Sequence, residues 1–482
     1  MSIEPRRIDD YEWELPIGFV DGMRVVGRVF ASRELFDKAI DDRAAEQVAN
    51  VATLPGIVGA SFAMPDIHWG YGFPIGGVAA TDPAGDGVLS PGGVGFDIGC
   101  GVRLVRTELM RADLKGHLRE LVDALGRQVP RGVGGRGRLP LEGSDIDRVF
   151  TEGAAYAIER GAGWAEDLDS CEDRGTLPDA DASQVSSRAR ERGSGQLGSL
   201  GAGNHFLEVQ VVDAIQDRPA ADLLGLSEGR VCVMIHSGSR GAGHQTCTDY
   251  LRAIDQLGNV FGYDPPDRQL ACAPLSHELA QSYRGAMNAC GNFALTNRQV
   301  LMDAVRSAFE SVFGRSARDL GMHLVYDVSH NLAKLEEHAV DGTPRTVCVH
   351  RKGATRAFGP SHPDLPERFR TTGQPVLIPG SMGTASFVLT GTDDAASKSF
   401  SSTCHGAGRA MSRTKAKKQM SGQDLRAQLE REGILLAKTR WKLLSEEAPY
   451  AYKDASDVVA ACEGAGLSKV VARLRPVGVI KG

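Results

Sequence analysis

Asp97 and Cys100 stand three residues apart in GFDIGCG, and histidines recur in similar settings further on: His205 in GAGNHF, His236 in MIHSGSRG and His330 in DVSHN. In a glycine-punctuated loop a carboxylate and a thiol at that spacing can face one ion, and a thiolate can bridge two. Mixed O, N and S donors suit a borderline divalent metal such as Mn, Zn or Co and fit Mg poorly. Ligands so far apart, with one Cys among them, do not form a zinc finger. Each residue alone has a plainer reading. A lone His in a β-rich core is commonly structural, and a lone Cys commonly packs as a small hydrophobe. The shared setting, at a strand end or in a Gly-rich turn, favours the metal.

His405 offers different chemistry. It lies in SSTCHGAG, ahead of Arg409 and the run Arg413, Lys415, Lys417, Lys418. A neutral imidazole among small neighbours can attack phosphorus and form a phosphoramidate, which divides one hard transfer into two. Gly406 and Gly408 can turn main-chain N–H groups toward phosphate oxygens, and the cations can offset transition-state charge. Arg409 and Arg413 are the expected phosphate contacts. The alternatives are a further metal ligand or a turn residue for His405, and an exposed helix face for the basic run.

To present such residues the chain needs strands that end in loops. Short β-branched runs precede each site: VCVMI before His236, HLVYDV before His330, VCV before His350, PVLI before Pro379. Helical spacing covers Ser32 to about Val51, with Ser32 as N-cap. Two more helices are expected around 112–127 and 145–161, and another from about Asn297. FVDGMRVVGRVF suggests a hairpin around Asp21-Gly22. Residues 165–195, acidic and then Arg-rich, read as an exposed insertion. The expectation is one α+β domain over 1–482, with strands flooring a central cleft lined by Gly-rich loops. A Rossmann fold is disfavoured, because no GxGxxG follows a first strand.

The 58 glycines among 482 residues cluster in those same loops, as expected for several loops converging on one polyanionic ligand. Tight turns are the ordinary alternative. A hydrophobic fraction of 42%, a charged fraction of 24% and a net charge of -6 describe a soluble globular protein whose nucleic-acid surface, if it has one, is a local patch. Nine scattered Cys, no apolar leader and no long apolar run point to the cytoplasm, with no membrane contact.

The words MPDIHWGYGFPIGG, GGVGFDIGCGVRL, GSLGAGNHFLEV, HSGSRGAGHQ, ALTNRQ, VYDVSHNLAKLEEH, HRKGATRAFGP, IPGSMGTASFVLTGT, HGAGRAMSR and RPVGVIKG resemble the RtcB-type RNA-splicing ligases from about residue 60 onward. The resemblance implies joining of an RNA 3′-phosphate or 2′,3′-cyclic phosphate to a 5′-hydroxyl, with GTP and two Mn2+ ions, in splicing or repair of RNA such as tRNA. It implies covalent GMP on His405. One metal would sit on Asp97, Cys100 and His205, and the second on Cys100, His236 and His330.

Guanylate contacts would come from Asn204, His205, Phe206, Leu207, Glu208, His330, Asn331, Pro379, Gly380, Ser381, Met382, Ser386, His405, Gly406, Ala407, Gly408 and Lys481. The resemblance implies a monomer and admits an archease-type activating partner. Trp69 stands where the family often has Gln, and Phe387 where Tyr is common. Two other classes use part of these residues: a two-metal phosphodiesterase, which gives His405 no role, and a silent nucleotide-binding scaffold.

Overall fold

Period-two alternation governs the central sheet of this computed structural model, which describes residues 3–132, 134–258, 261–439 and 444–482. The strands His323–Ser329, Gly101–Met110, Arg230–Ser237, Phe206–Ile215, Ser468–Lys481, Ser386–Gly391 and Pro375–Ile378 lie side by side in that order, each antiparallel to the next. Leu435–Leu436 pairs parallel with Ser468–Lys481. Val231, Val233, Ile235, Leu207 and Val209 face one side and pack against Leu301, Val305 and Phe309. Cys232, Met234 and Phe206 face the other. A strand buried on both faces reads as a continuous apolar run, as RVCVMIHS does.

The residues behind the first face belong to the helix Glu278–Phe313, 36 residues long and capped by the His277 side chain. The expected start near Asn297 falls in mid-helix. Asn297, Arg298 and Gln299 look like a polar boundary, but all three are fully buried. They serve neighbouring loops instead of water.

A second sheet runs Arg6–Arg7, Glu12–Leu15, Gly27–Phe30, Ile57–His68, Ile75–Thr81, Thr343–Lys352, Asn331–Val340. Asp21-Gly22 lies in the connection between two of its strands, which is longer than a tight hairpin. The Ser32 hydroxyl caps Leu35, as expected, but the helical stretch breaks at Arg43 (φ 64°) into Arg33–Asp41 and Ala44–Val51. The second expected pair appears as Leu118–Gln128 and as Asp145–Glu152 with Ala154–Glu159, parted at Gly153. The mixed α+β class is as expected from the sequence.

The segment 165–195 is exposed only in part. Asp167 is buried against Arg306 at 2.8 Å, and Glu172 is buried against Lys334 at 2.7 Å. Glu166 and Asp169 are exposed, whereas Asp167 and Glu172 are covered by cations that lie far along the chain. No helix among the described residues is long and apolar enough to cross a membrane. All nine cysteines are buried and unpaired.

Candidate active site

Five adjacent strands of the central sheet deliver their chemistry at one edge. In sheet order these are His330 after His323–Ser329, Cys100 before Gly101–Met110, His236 near the end of Arg230–Ser237, His205 before Phe206–Ile215, and Lys481 closing Ser468–Lys481. Antiparallel pairing makes this possible: the start of one strand sits beside the end of the next. The register fixes it, with Ser329 opposite Gly101, Gly101 opposite Ser237, and His236 opposite Phe206, which faces Lys481.

The donor atoms converge. Cys100 Sγ lies 3.4 Å from His205 Nε2 and 3.3 Å from His236 Nε2. His205 Nε2 is 2.8 Å from Asp97 Oδ2, and His236 Nε2 is 3.3 Å from His330 Nε2. Donors bound to one metal at about 2.1 Å stand roughly 3.0–3.4 Å apart, so the spacing is that of a coordination shell. His205 Nδ1 donates to Leu200 O at 2.9 Å, which leaves Nε2 to face the carboxylate and the thiol.

Burial and neighbouring imidazoles push His236 and His330 well below the usual range, so both rings are neutral with lone pairs free. Burial and the Asp97 carboxylate push the Cys100 thiol well up. A bound cation reverses that logic and takes the thiolate. Burial opposes charge on Asp97, but His205 and Arg240 outweigh it and hold the carboxyl at about 2. This donor set fits a divalent cation.

The long helix holds the cluster from behind. Arg298 donates to Gly99 O at 2.8 Å and Ser237 O at 3.0 Å, backbone next to Cys100 and His236, while both its terminal and inner nitrogens engage Asp327. Asn297 accepts from Gly198 and Ser199 and donates to Gly238 O, tying the loop before His205 to the one after His236.

The opposite wall carries His405, which follows the strand Ser402–Cys404. Its ring centroid is 4.8 Å from that of His330. Nδ1 approaches Asp66 Oδ2 to 2.5 Å, and its backbone N–H donates to the same oxygen at 3.2 Å. Two glycines make room. A Cβ on Gly353 (φ +59°) would stand 2.9 Å from His405 Cε1, and one on Gly408 (φ +71°) 2.4 Å from Asp66 O. Ala407 N donates to Pro379 O, and Gly380 N to Ser386 Oγ, so the PGSM loop is pinned to the HGAG turn.

Between the walls lies a cavity of ≈ 300 Å³. Asp97, Cys100, Asn204, Phe206, Glu208, His236, His330, Asn331, Pro379 to Met382, His405 to Arg409, Arg413 and Lys481 line it. Leu207 does not: alternation turns it into the hydrophobic cluster beneath the sheet. Ser386 supports the loop without lining the cavity.

A sequence profile described as tRNA-splicing ligase RtcB matches residues 47–482. The tRNA-splicing ligase RtcB of Archaeoglobus fulgidus is 54% identical over 477 residues, covering 99% of this chain and 98% of that one. That of Thermococcus kodakarensis is 51% identical over 477 residues, covering 99% and 98%. The RNA-splicing ligase RtcB of Mycobacterium tuberculosis is 54% identical over 439 residues, covering 90% and 100%. The chain belongs to the RtcB family.

Several residues of this RtcB chain's cavity escaped sequence reasoning. Asp66 was visible only as part of the word MPDIH. His68 lines the cavity, and burial lowers its imidazole to about 4. Glu447 is buried beneath Arg409 (3.3 Å), Arg413 (3.0 Å) and Lys481 (4.0 Å), with Tyr452 Oη against its carboxylate. Burial opposes its charge, and Lys481 with these partners keeps it ionised. Arg409 and Arg413 are therefore tethered groups at the cavity rim and not a free basic face.

Proposed function

We propose that this chain is a GTP-dependent RNA ligase that joins RNA 3′-phosphate or 2′,3′-cyclic phosphate ends to 5′-hydroxyl ends through GMP held on His405. The observation that carries this reading is the confrontation of His405 with the Cys/His cluster across one small cavity. Asp66 occupies Nδ1, so Nε2 is the free nucleophile. Nε2 attacks the α-phosphorus of GTP, a P–N bond forms and pyrophosphate leaves. The RNA 3′-phosphate, released from a cyclic end by water that breaks the P–O2′ bond, then displaces the histidine and takes the GMP. Finally the 5′-hydroxyl attacks the activated phosphate, closing the phosphodiester and releasing GMP.

Each wall has its part. Two Mn2+ ions would be held here, one by Asp97, Cys100 and His205, the other by Cys100, His236 and His330. The bound metals supply charge neutralisation on the phosphates. Phe206, Glu208 and Lys481 receive the guanylate, and the main-chain N–H groups of Gly406 and Gly408 serve phosphate oxygens. The chain works as a cytoplasmic monomer on RNA such as tRNA, with an archease-type protein as the candidate activator.

Incubation with α-labelled GTP and manganese tests this. The reading expects label on protein that is acid-labile and alkali-stable, and joining of RNA bearing 3′-phosphate and 5′-hydroxyl ends. Cleavage of phosphodiesters without labelling or joining would replace it with the phosphodiesterase reading.

A further inference from the structure

Phe96 and Asp97 are consecutive, yet they line different hollows. Asp97 faces the main cavity, whereas Phe96 faces a second one of ≈ 320 Å³, walled also by Tyr71, Leu251, Arg252, Arg268 and Gln269. The loop after Ile57–His68 divides in the same way, with His68 in the main cavity and Tyr71 in the second. The two hollows are thus neighbours, parted by single turns of backbone.

Three rings run in a row here. Tyr71 meets Phe96 edge-on at 5.3 Å and 70°, and His244 lies near-parallel to Phe96 at 5.1 Å and 28°. Tyr71 and Phe96 pack against the core but remain half-buried, and His244 is exposed. Gln269 Oε1 accepts from Gly72 N at 3.0 Å, which orients the amide at the rim. Arg268 is held by Asp255 at 2.8 Å. Arg252 is exposed and pairs with no acid among the described residues. One uncommitted guanidinium is too little for a polyphosphate. Aromatic faces with a single cation and an oriented amide match a nucleobase with its own phosphate.

We infer that the second hollow is a nucleobase subsite. An unpaired base beside one of the RNA ends stacks on Phe96 and Tyr71, and Arg252 meets the adjoining phosphate, while the end itself lies in the main cavity. This rests on the RNA-ligase reading above. Because neighbouring residues of two loops line the two hollows, the base belongs to one of the first few nucleotides from the junction. Stacking makes the subsite tolerant of base identity.

The test uses the intact chain and changes the RNA. Substrates carrying one abasic residue at each of the first few positions from either end are joined under steady-state conditions. Loss of the base at one position should raise KM on the order of tenfold, with little change for purine-to-pyrimidine exchange there. Tyr71→Leu should erase the difference between intact and abasic RNA, and Tyr71→Phe should keep it. A flat abasic profile overturns the inference while leaving ligation intact. A penalty that persists undiminished in Tyr71→Leu also overturns it, since the base is then held elsewhere. A chain that joins neither intact nor abasic RNA removes the ligase reading and this subsite with it.

Discussion

Nδ1 of His405 lies 2.5 Å from Oδ2 of Asp66, a carboxylate with no exposed surface. In the proposed reaction this contact leaves Nε2 as the nucleophile. Asp66→Ala should slow attachment of GMP by about a hundredfold, the scale of a misaimed reacting group, and His405→Ala should abolish it. Metal content should stay normal in both. Single-turnover labelling with GTP is the measurement, and wild-type rates in the Asp66 variant would deny the carboxylate any positioning role.

Cys100 touches both His205 and His236. If its sulfur is shared by two ions, Cys100→Ala removes a ligand from each site at once. Cys100→Ser should do nearly as much harm, since a hydroxyl stays protonated where a thiol ionises on a metal. Elemental analysis after equilibration with manganese should show both sites depleted. Full loading of the alanine variant would end the shared-thiolate reading.

Glu208 gives a pH signature. Burial pushes its carboxyl from 4.5 up to about 7, against the opposing effects of Gln210 and Lys481. A folded pKa above the unfolded one means the folded chain keeps a proton that the unfolded chain releases. The associated stability is whole below pH 4.5 and drains away as the pH climbs to about 7, by about 3 kcal/mol in all. Tm of the ligand-free chain should fall across that window, and Glu208→Gln should flatten the fall. Identical slopes for the two proteins would refute the assignment.

Asp327 is the counter-charge for both Arg298 and Arg103, and all three are fully buried. Asp327→Ala strands two guanidinium groups and should cost about 3–5 kcal/mol, read from urea unfolding. Metal affinity should weaken too, because Arg298 then holds Gly99 and Ser237 less firmly. A loss below about 1 kcal/mol would mean that the arginines find other partners.

What could be read beforehand follows a physical divide. A β-branched run ending in His is local, so the strand-end placement of His236 and His330 was legible from a few residues. The capping Ser32 was legible for the same reason. Asp66 was not, because its partner His405 is 339 residues away and nothing near MPDIH announces it. The helix Glu278–Phe313 was misjudged because buried Asn297 and Arg298 look like surface residues until the loops they serve are in place. Asp167 and Glu172 were illegible for the mirror reason: Arg306 and Lys334 neutralise them from a distance.

The single sheet edge that gathers His330, Cys100, His236, His205 and Lys481 also dictates when the chain can become competent. These groups span residues 100 to 481, and their alignment depends on the pairing of five strands remote from one another in sequence. Such long-range pairing is slow to form, and half-paired intermediates would hold the donors scattered and weakly binding. A metal that recognises only the finished edge acts as a lock on it, at a hundredfold excess over Kd adding about 2.7 kcal/mol to native stability. Metal supply in the cell would then govern how much of the newly made protein survives, as well as how fast each molecule turns over.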